Sequence, residues 1–211
     1  MAVIAHIQQG EGQILLWRTG ESVPVLLERL SSRPDWQRMS ASIVLEKRKK
    51  EFLIPRILLL DLCGPSADID YTPEGKPVLT PAGGGHISIS HTGSCVALAF
   101  HPQKPVGVDV EQMSDRILRI APRVLSVREM AALCPEKKEV HALLVWSAKE
   151  SLFKAVGVPG IDFREQLHVE PFCPADSGSF EAWESKTALH TRYTVHYKVY
   201  DGFVLTYCMQ E

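Results

Sequence analysis

Three acidic residues on two short segments have a spacing that suits a divalent metal ion. Asp109 and Glu111 lie within residues 107–111, which read as a strand, and alternation along a strand points both side chains to one face. Glu150 lies near the middle of residues 146–154, which read as a helix. Carboxylates that converge from a strand and from the side of a helix form a site of hard oxygen ligands. Mg²⁺ suits such a site, and it usually brings a phosphate group with it.

Each half of this pattern also has a simpler interpretation. Alternating acids often mark a solvent-facing strand. Glu150 shares a helical stripe with Leu143, Trp146 and Phe153, and a carboxylate among apolar side chains is costly unless it is paired or bound to a metal. An internal ion pair with Lys154, one helical turn further on, is the alternative to a metal site.

Two turns earlier in the chain offer groups that could hold a phosphate. Ser90 and His91 lie at the mouth of a tight turn, where hydroxyl and backbone N–H groups can bind an anion. Gly75, Lys76 and Pro77 form a second turn, which presents a lysine as a point charge. Taken alone, both are ordinary turn sequences.

Composition narrows the class of protein. The 211 residues suit one large domain or two small ones, and 45% hydrophobic with 23% charged residues is ordinary for a soluble globular chain. A net charge of −2 gives no sign of a nucleic-acid or membrane partner. The five cysteines are scattered without Cys-x-x-Cys spacing, and no signal peptide or bilayer-spanning stretch is evident. We therefore expect a cytoplasmic protein.

Periodicity predicts helices interleaved with antiparallel strands, an α+β chain. Helices are predicted at residues 23–30, 116–124, 127–133 and 139–156. A further helix starts after residues 40–42 and reaches residue 62, with a kink or a division into two helices at Pro55. Ser126 and Glu129 have the spacing of a capping box. The longest helix carries a stripe of small residues suited to close packing against a sheet: Ser147, Ala148, Ser151 and Ala155.

The strand pattern predicts how the chain is paired. Strands are predicted at residues 3–7, 13–18, 87–91, 96–100, 106–111, 167–170, 179–185, 193–200 and 203–208. The third, fourth and fifth are interpreted as a meander in sequence order. Asp201 and Gly202 predict a hairpin turn between the last two, and residues 70–85, rich in Gly and Pro, are expected to be loop or edge structure.

Taken together, the motifs are far more specific than any one of them. Gly-Lys-Pro, Ile-Ser-x-Ser-His-Thr-Gly, Gly-Val-Asp-Val-Glu and Trp-Ser-x-Lys-Glu-Ser-x-x-Lys follow one another over residues 75–154. This order and spacing resembles the 4′-phosphopantetheinyl transferase superfamily, in particular its single-chain, surfactin-type branch. The resemblance implies two similar α+β halves with antiparallel sheets and a pseudo-twofold relation, at residues 1–102 and 103–211. It also implies a monomer whose second half carries the metal-binding acids.

The resemblance assigns roles to the acidic residues and to one lysine. It implies that Asp109, Glu111 and Glu150 bind Mg²⁺, with Mn²⁺ as the alternative. Glu150 is also the expected base for the incoming serine, directly or through a water molecule. Lys154 is expected to steady the pyrophosphate, and Glu129 to help near the acceptor serine.

The resemblance further implies a set of contacts to coenzyme A: Arg48 or Arg56, Gly75, Lys76, Pro77, Ser90, His91, Lys149 and Lys154. Ser90 and His91 correspond to the pair that contacts the 3′-phosphate region, and Arg48 is the preferred arginine for the 3′-phosphate. The turn around Lys76 corresponds to the segment beside the adenine and phosphates.

The implied reaction moves the phosphopantetheine arm of coenzyme A to a serine of an apo acyl or peptidyl carrier protein and releases 3′,5′-adenosine bisphosphate. A basic and apolar helical surface is expected to receive the acidic carrier, although it could equally be a solvated amphipathic helix; its arginines are Arg116, Arg119, Arg123 and Arg128. A Mg²⁺-dependent phosphohydrolase or nuclease, and a non-catalytic relative that binds carrier proteins, are the alternative functions.

Overall fold

The structure is a computed structural model and describes residues 3–81 and 83–210. The chain divides into two compact units, Met1–Pro102 and Gln103–Glu211, called here the N-terminal and the C-terminal unit. Each contains helices and antiparallel strands, which confirms the predicted α+β class. Among the described residues, no helix has the length and apolar character needed to cross a membrane.

The N-terminal unit combines a four-stranded and a two-stranded antiparallel sheet with helices. Its strands are β1 (Val3–Gln9), β2 (Gly12–Arg18), β3 (Asp68–Tyr71), β4 (Pro77–Thr80), β5 (His86–Thr92) and β6 (Cys95–His101), and its helices are α1 (Val23–Arg29), α2 (Pro34–Ala41) and α3 (Glu46–Cys63). The larger sheet has the order β1-β2-β6-β5, and β3 pairs with β4. The pair of β3 and β4 overlaps residues 70–85, which were expected to be loop or edge structure. Helix α2 was not predicted from the sequence.

Helix α3 is continuous through Pro55, so the alternative of two separate helices is wrong. A proline inside a helix removes one backbone hydrogen bond and costs about 3 kcal/mol. Leu53, Ile57 and Leu58 are almost completely buried around it. Burial of such side chains contributes roughly 1.5–3 kcal/mol each, so packing outweighs the cost of the proline.

The C-terminal unit consists of a five-stranded antiparallel sheet and one long helix with shorter helices beside it. Its elements are β7 (Val106–Gln112), α4 (Arg116–Val124), α5 (Val127–Ala131), a 3-10 turn (Pro135–Lys137), α6 (Lys138–Val156), β8 (Leu167–Val169), β9 (Ser177–Glu184), β10 (Arg192–Tyr200) and β11 (Phe203–Met209). The sheet order is β7-β11-β10-β9-β8. The predicted hairpin turn between β10 and β11 is confirmed, with Gly202 at a φ of 84°.

The predicted meander of three strands is wrong. β5 and β6 pair as expected, but β7 pairs with β11 in the sheet of the C-terminal unit. Six of the seven residues of β6 and five of the seven residues of β7 are buried. A strand buried on both faces has the same apolar pattern whichever neighbour it pairs with, so periodicity could not identify the partner of β7.

Helix α6 packs closely on β7 at Gly107. A Cβ atom at this position would overlap the backbone carbonyl oxygen of Ser151 and lie 3.0 Å from the backbone nitrogen of Ala155. The predicted small-residue stripe of α6 is buried at this contact, with Ser151 0% and Ala155 2% exposed. The contact sets the distance between the strand that carries Asp109 and the helix that carries Glu150.

Replacing Gly107 with alanine should therefore destabilise the C-terminal unit. The new methyl group meets backbone atoms, which cannot rotate away, so we expect a loss of about 1–3 kcal/mol in the free energy of unfolding. Urea unfolding followed by circular dichroism would measure this. The matched control is Gly20→Ala, because a Cβ atom at Gly20 has no neighbour within 4 Å. Equal stability of the two variants would contradict the proposed close packing.

Candidate active site

Asp109 is a buried carboxylate that side chains of α6 hold in place. It projects from β7, is 3% exposed, and accepts hydrogen bonds from Lys154 Nζ and Ser147 Oγ, each at 2.8 Å. Lys154 Nζ also donates to the backbone oxygen of Val108 at 3.0 Å. Ser147 Oγ lies 2.9 Å from Thr206 Oγ1 on β11, directly across the sheet from Asp109. The Asp109 carboxylate is thus fixed by contacts from a helix and from the neighbouring strand.

Glu111, two residues further along β7, accepts a hydrogen bond from Trp146. The indole Nε1 lies 3.1 Å from Glu111 Oε1. Burial, and then the negative charge of Asp109, raise the pKa of Glu111, although the bond from Trp146 and the positive charges of Lys154 and Arg116 oppose this. Both strand acids are therefore oriented by residues of the motif on α6.

Glu150 is the least compensated of the three acids. Burial, followed by the negative charge of Asp109, raises its pKa from an ordinary value of 4.5 to about 7. Two aromatic side chains of the same helical stripe, Trp146 and Phe153, contact the ring of Phe163, with ring centroids 5.4 and 5.3 Å apart. Lys154 is paired with Asp109 rather than with Glu150. The ion pair predicted as the alternative to a metal site is therefore not formed.

The donor set and the charges fit a hard divalent cation. All three candidate ligands are carboxylates, and the charge of Asp109 raises the pKa of both Glu111 and Glu150. Bringing a cation between carboxylates that repel one another would relieve this repulsion. Within residues 3–81 and 83–210, no group of three or more acidic, His or Cys side chains is already arranged to hold a metal ion. The role of these acids as ligands stays a prediction.

Lys149 and Glu129 form an ion pair in the interior of the C-terminal unit. Lys149 Nζ lies 2.7 Å from Glu129 Oε2, and the two side chains are 0% and 4% exposed. Lys149 also donates to the backbone oxygens of Val124 at 3.0 Å and Phe163 at 2.8 Å. Its three N–H donors are thus all used by the protein. A contact of Lys149 with coenzyme A, as the resemblance implies, would require this arrangement to open.

Both carboxylate oxygens of Glu129 likewise already accept hydrogen bonds within the protein. It forms the predicted capping box with Ser126 at the start of α5, which the structure confirms. Its second carboxylate oxygen accepts from the backbone N–H of Val169 on β8 at 2.9 Å. The pair of Glu129 and Lys149 therefore ties α5, α6 and β8 together, and both charges are buried.

The N-terminal unit contains a cavity of about 340 Å³ between the start of α3 and the turn that joins β5 to β6. Lys47, Lys50, Glu51 and His91 line it. His91 Nδ1 lies 3.3 Å from Glu51 Oε1. Ser90, the residue before His91, is 7% exposed and points away from solvent.

The other predicted contacts to coenzyme A in this unit have different surroundings. Arg56 is 1% exposed, its guanidinium lies 3.7 Å over the ring of Phe52, and burial lowers its pKa. Arg48 is 64% exposed and contacts Glu51 at 2.8 Å. Arg48 is therefore accessible to a ligand and Arg56 is not.

The second turn carries Lys76, whose side chain is half-buried. Gly75 has a φ of 84°, a conformation that favours glycine. The backbone N–H of Lys76 lies 3.3 Å from Thr72 Oγ1, and burial lowers the pKa of the Lys76 side chain. Pro77 begins β4, and its φ is fixed by its ring.

Comparisons with known proteins place the chain in a family. The model of the 4′-phosphopantetheinyl transferase superfamily matches residues 105–208. The chain is 28% identical over 169 residues to 4′-phosphopantetheinyl transferase ffp of Bacillus subtilis, covering 68% of this chain and 75% of that protein. It is 30% identical over 156 residues to another 4′-phosphopantetheinyl transferase of Bacillus subtilis, covering 63% and 68%. It is 33% identical over 111 residues to 4′-phosphopantetheinyl transferase Sfp of Bacillus subtilis strain 168, covering 48% and 49%. The chain belongs to the 4′-phosphopantetheinyl transferase superfamily.

Proposed function

We propose that this chain transfers the 4′-phosphopantetheine arm of coenzyme A to a serine of an apo acyl or peptidyl carrier protein, as a monomer in the cytoplasm. The observation that carries the proposal is that side chains of α6, the helix that carries Glu150, orient Asp109 and Glu111 within the segment that matches the family. The five cysteines are free thiols, as expected of a protein from a reducing compartment.

Asp109, Glu111 and Glu150 would hold Mg²⁺, with Mn²⁺ as the alternative. When bound, the ion offsets negative charge on the pyrophosphate of coenzyme A. Lys154 is positioned beside Asp109, and its ammonium group would stabilise the charge that develops on the leaving phosphate. Trp146 and Ser147 position the two strand carboxylates through their hydrogen bonds.

Glu150 is the proposed general base. In the metal-free chain, burial and then the charge of Asp109 raise the pKa of Glu150, so its carboxylate accepts a proton more readily than an exposed one would. It takes the proton of the serine hydroxyl, directly or through a water molecule. The serine oxygen then forms a bond to the phosphorus that carries pantetheine. The pyrophosphate bond breaks, and 3′,5′-adenosine bisphosphate leaves with the electron pair.

The N-terminal unit would bind the adenosine part of coenzyme A. Ser90 and His91, with Arg48, are the proposed partners of the 3′-phosphate region, and the turn of Gly75, Lys76 and Pro77 would lie beside the adenine and phosphates. The exposure of Arg48 supports this choice over Arg56.

Incubation with coenzyme A, Mg²⁺ and several apo carrier proteins tests the function. Transfer would add the mass of one phosphopantetheine group to the carrier, and a carrier whose acceptor serine is replaced by alanine should gain none. A phosphohydrolase would instead cleave coenzyme A without any carrier. A non-catalytic relative would bind the carrier and leave its mass unchanged. The absence of a mass gain with both acyl and peptidyl carriers would reject the transferase.

The exposed arginines of α4 are the proposed docking surface for the carrier. Arg116, Arg119 and Arg123 are exposed, whereas Ile117 of the same helix is buried. Arg128, on α5, is already paired with Glu170 at 2.7 Å. Its positive charge is therefore partly neutralised and would attract an acidic carrier less strongly.

Reversing two of these charges should weaken carrier binding selectively. Charge complementarity acts mainly on association, so we expect Arg119→Glu with Arg123→Glu to raise the KM for the carrier about tenfold and to leave the KM for coenzyme A unchanged. The matched control makes the same charge change on β10, at the exposed residues Arg192 and Lys198. Equal effects of the two double variants would remove α4 as the docking surface.

A further inference from the structure

The cavity of the N-terminal unit contains an anion of its own. Glu51 is 9% exposed, and its carboxylate contacts three basic side chains. Arg48 Nη1 lies 2.8 Å from Oε2, while His91 Nδ1 and Lys47 Nζ lie 3.3 and 3.9 Å from Oε1. Two of these three, Arg48 and His91, are the residues proposed to receive the 3′-phosphate of coenzyme A.

The remaining lysine at the cavity is also paired. Lys50 Nζ lies 3.0 Å from Glu46 Oε1, and its side chain is 19% exposed. Each basic residue that lines the cavity therefore already has a carboxylate partner. Lys47, Arg48 and Lys50 are balanced by Glu46 and Glu51, so the group has only a small positive charge. A cavity that selects a doubly charged phosphate would be expected to hold an excess of free cations.

A carboxylate and a phosphate bind the same kinds of hydrogen-bond donor. Both accept charge-assisted hydrogen bonds from guanidinium, ammonium and imidazolium groups. The carboxylate of Glu51 lies where Arg48 and His91 converge, so an incoming phosphate must share these donors with it. The two negative charges would also repel each other in a partly buried site, where screening by salt is weak.

We propose that Glu51 is a specificity-determining residue, which lowers the preference of this cavity for a ligand with a 3′-phosphate. The inference rests on the proposed function, since it assumes that the cavity receives the adenosine part of coenzyme A. With Glu51 in place, the chain binds nucleotides with and without the 3′-phosphate at similar affinity. Coenzyme A and its 3′-dephosphorylated form are then both substrates.

Direct binding of two nucleotides tests the role of Glu51. Isothermal titration calorimetry would compare 3′,5′-adenosine bisphosphate with adenosine 5′-monophosphate. For the unaltered chain we expect dissociation constants within a factor of about three of each other, because Glu51 cancels the gain from the second phosphate. In Glu51→Gln, which keeps the shape of the side chain, the bisphosphate should bind about tenfold more tightly and the monophosphate should change little. Glu51→Ala should give the same selective change.

The control is Glu11→Gln, which removes one negative charge at an exposed turn of the same unit and should alter neither affinity. If Glu51→Gln weakens binding of the bisphosphate, Glu51 only positions Arg48 and His91, and the proposal is overturned. If Glu51→Gln increases the affinity for both nucleotides equally, the carboxylate acts on any anion and not on the 3′-phosphate in particular. This result also overturns the proposal. If no variant binds either nucleotide, the assignment of the cavity fails, and the carrier mass gain shows separately whether the transferase function survives.

Discussion

Replacing Glu150 with glutamine is expected to abolish transfer and, in the same protein, to increase stability above neutral pH. The activity should fall by about 10²–10⁴-fold, the usual contribution of a general base, and further if the carboxylate also binds the metal. The stability of the metal-free protein should rise because the native fold holds this carboxylate in a place that disfavours its charge.

The direction of the pH effect follows from the raised pKa. Folding raises the pKa of Glu150 from 4.5 to about 7, so between these values the folded chain binds more protons than the unfolded chain. Stability therefore falls as pH rises through this window, and the cost is complete above pH 7. A shift of this size corresponds to about 3 kcal/mol. Because Glu150 is partly exposed, screening by solvent reduces the expected gain in Glu150→Gln to about 1–2 kcal/mol.

Urea unfolding in the presence of a chelator at about pH 5 and about pH 8 measures this effect. The glutamine variant should exceed the parent chain only slightly at the lower pH and by the full amount at the higher pH. Glu139→Gln, at an exposed position in the first turn of the same helix, is the control and should reproduce neither change. A glutamine variant that is less stable at both pH values, or that keeps its transfer activity, would refute the account of Glu150.

Local patterns in the sequence were sufficient where the structure is determined by near neighbours. Alternation placed Asp109 and Glu111 on the face of β7 that meets α6. The spacing of small residues predicted which face of α6 packs closely on the sheet, where Ser151 meets Gly107, and the capping box at Ser126 depends only on residues three positions apart.

Long-range pairing could not be predicted in the same way. Lys154 is one helical turn from Glu150, but β7 offers it the carboxylate of Asp109, which is 45 positions away along the chain. Ser147 likewise reaches Asp109 over 38 positions and Thr206 over 59. The order of motifs suggested the family. It did not indicate which donor of one motif forms a hydrogen bond with which acid of another.

Neighbouring residues of one motif can also have opposite surroundings. Lys149 and Glu150 are adjacent, but successive side chains of a helix point about 100° apart. Lys149 is therefore in the interior, while Glu150 lies on the partly exposed stripe. In the same way, the run of charges at the start of α3 did not indicate that Glu51 would contact both Arg48 and His91.

The interior position of Lys149 leads to the second large expected effect. Replacing Lys149 with methionine should destabilise the C-terminal unit by about 3–5 kcal/mol, because it leaves the Glu129 carboxylate buried without its partner. The backbone oxygens of Val124 and Phe163 would lose a donor as well. An exposed pair provides the comparison: Arg128→Met removes the contact with Glu170 and should cost less than about 1 kcal/mol.

Adding Glu129→Gln to Lys149→Met should recover part of the lost stability, because it removes the unpaired charge, although the single acceptor oxygen of glutamine cannot serve the backbone N–H groups of both Ser126 and Val169. Glutamine is neutral and can still bond the backbone N–H of Ser126 in a capping box, so the double variant buries no unpaired charge. A double-mutant cycle from urea unfolding would measure the coupling between the two residues. A coupling energy near zero would show that the two charges act independently.

The double variant also separates a structural role for Lys149 from a contact with coenzyme A. If Lys149 acts only through the fold, transfer activity should return together with stability, because the backbone that positions Glu150 is restored. If its ammonium group touches the substrate, the double variant should be stable and still have a raised KM for coenzyme A, since methionine cannot supply the charge. The three donors of Lys149 are already used inside the protein, so we expect the first result.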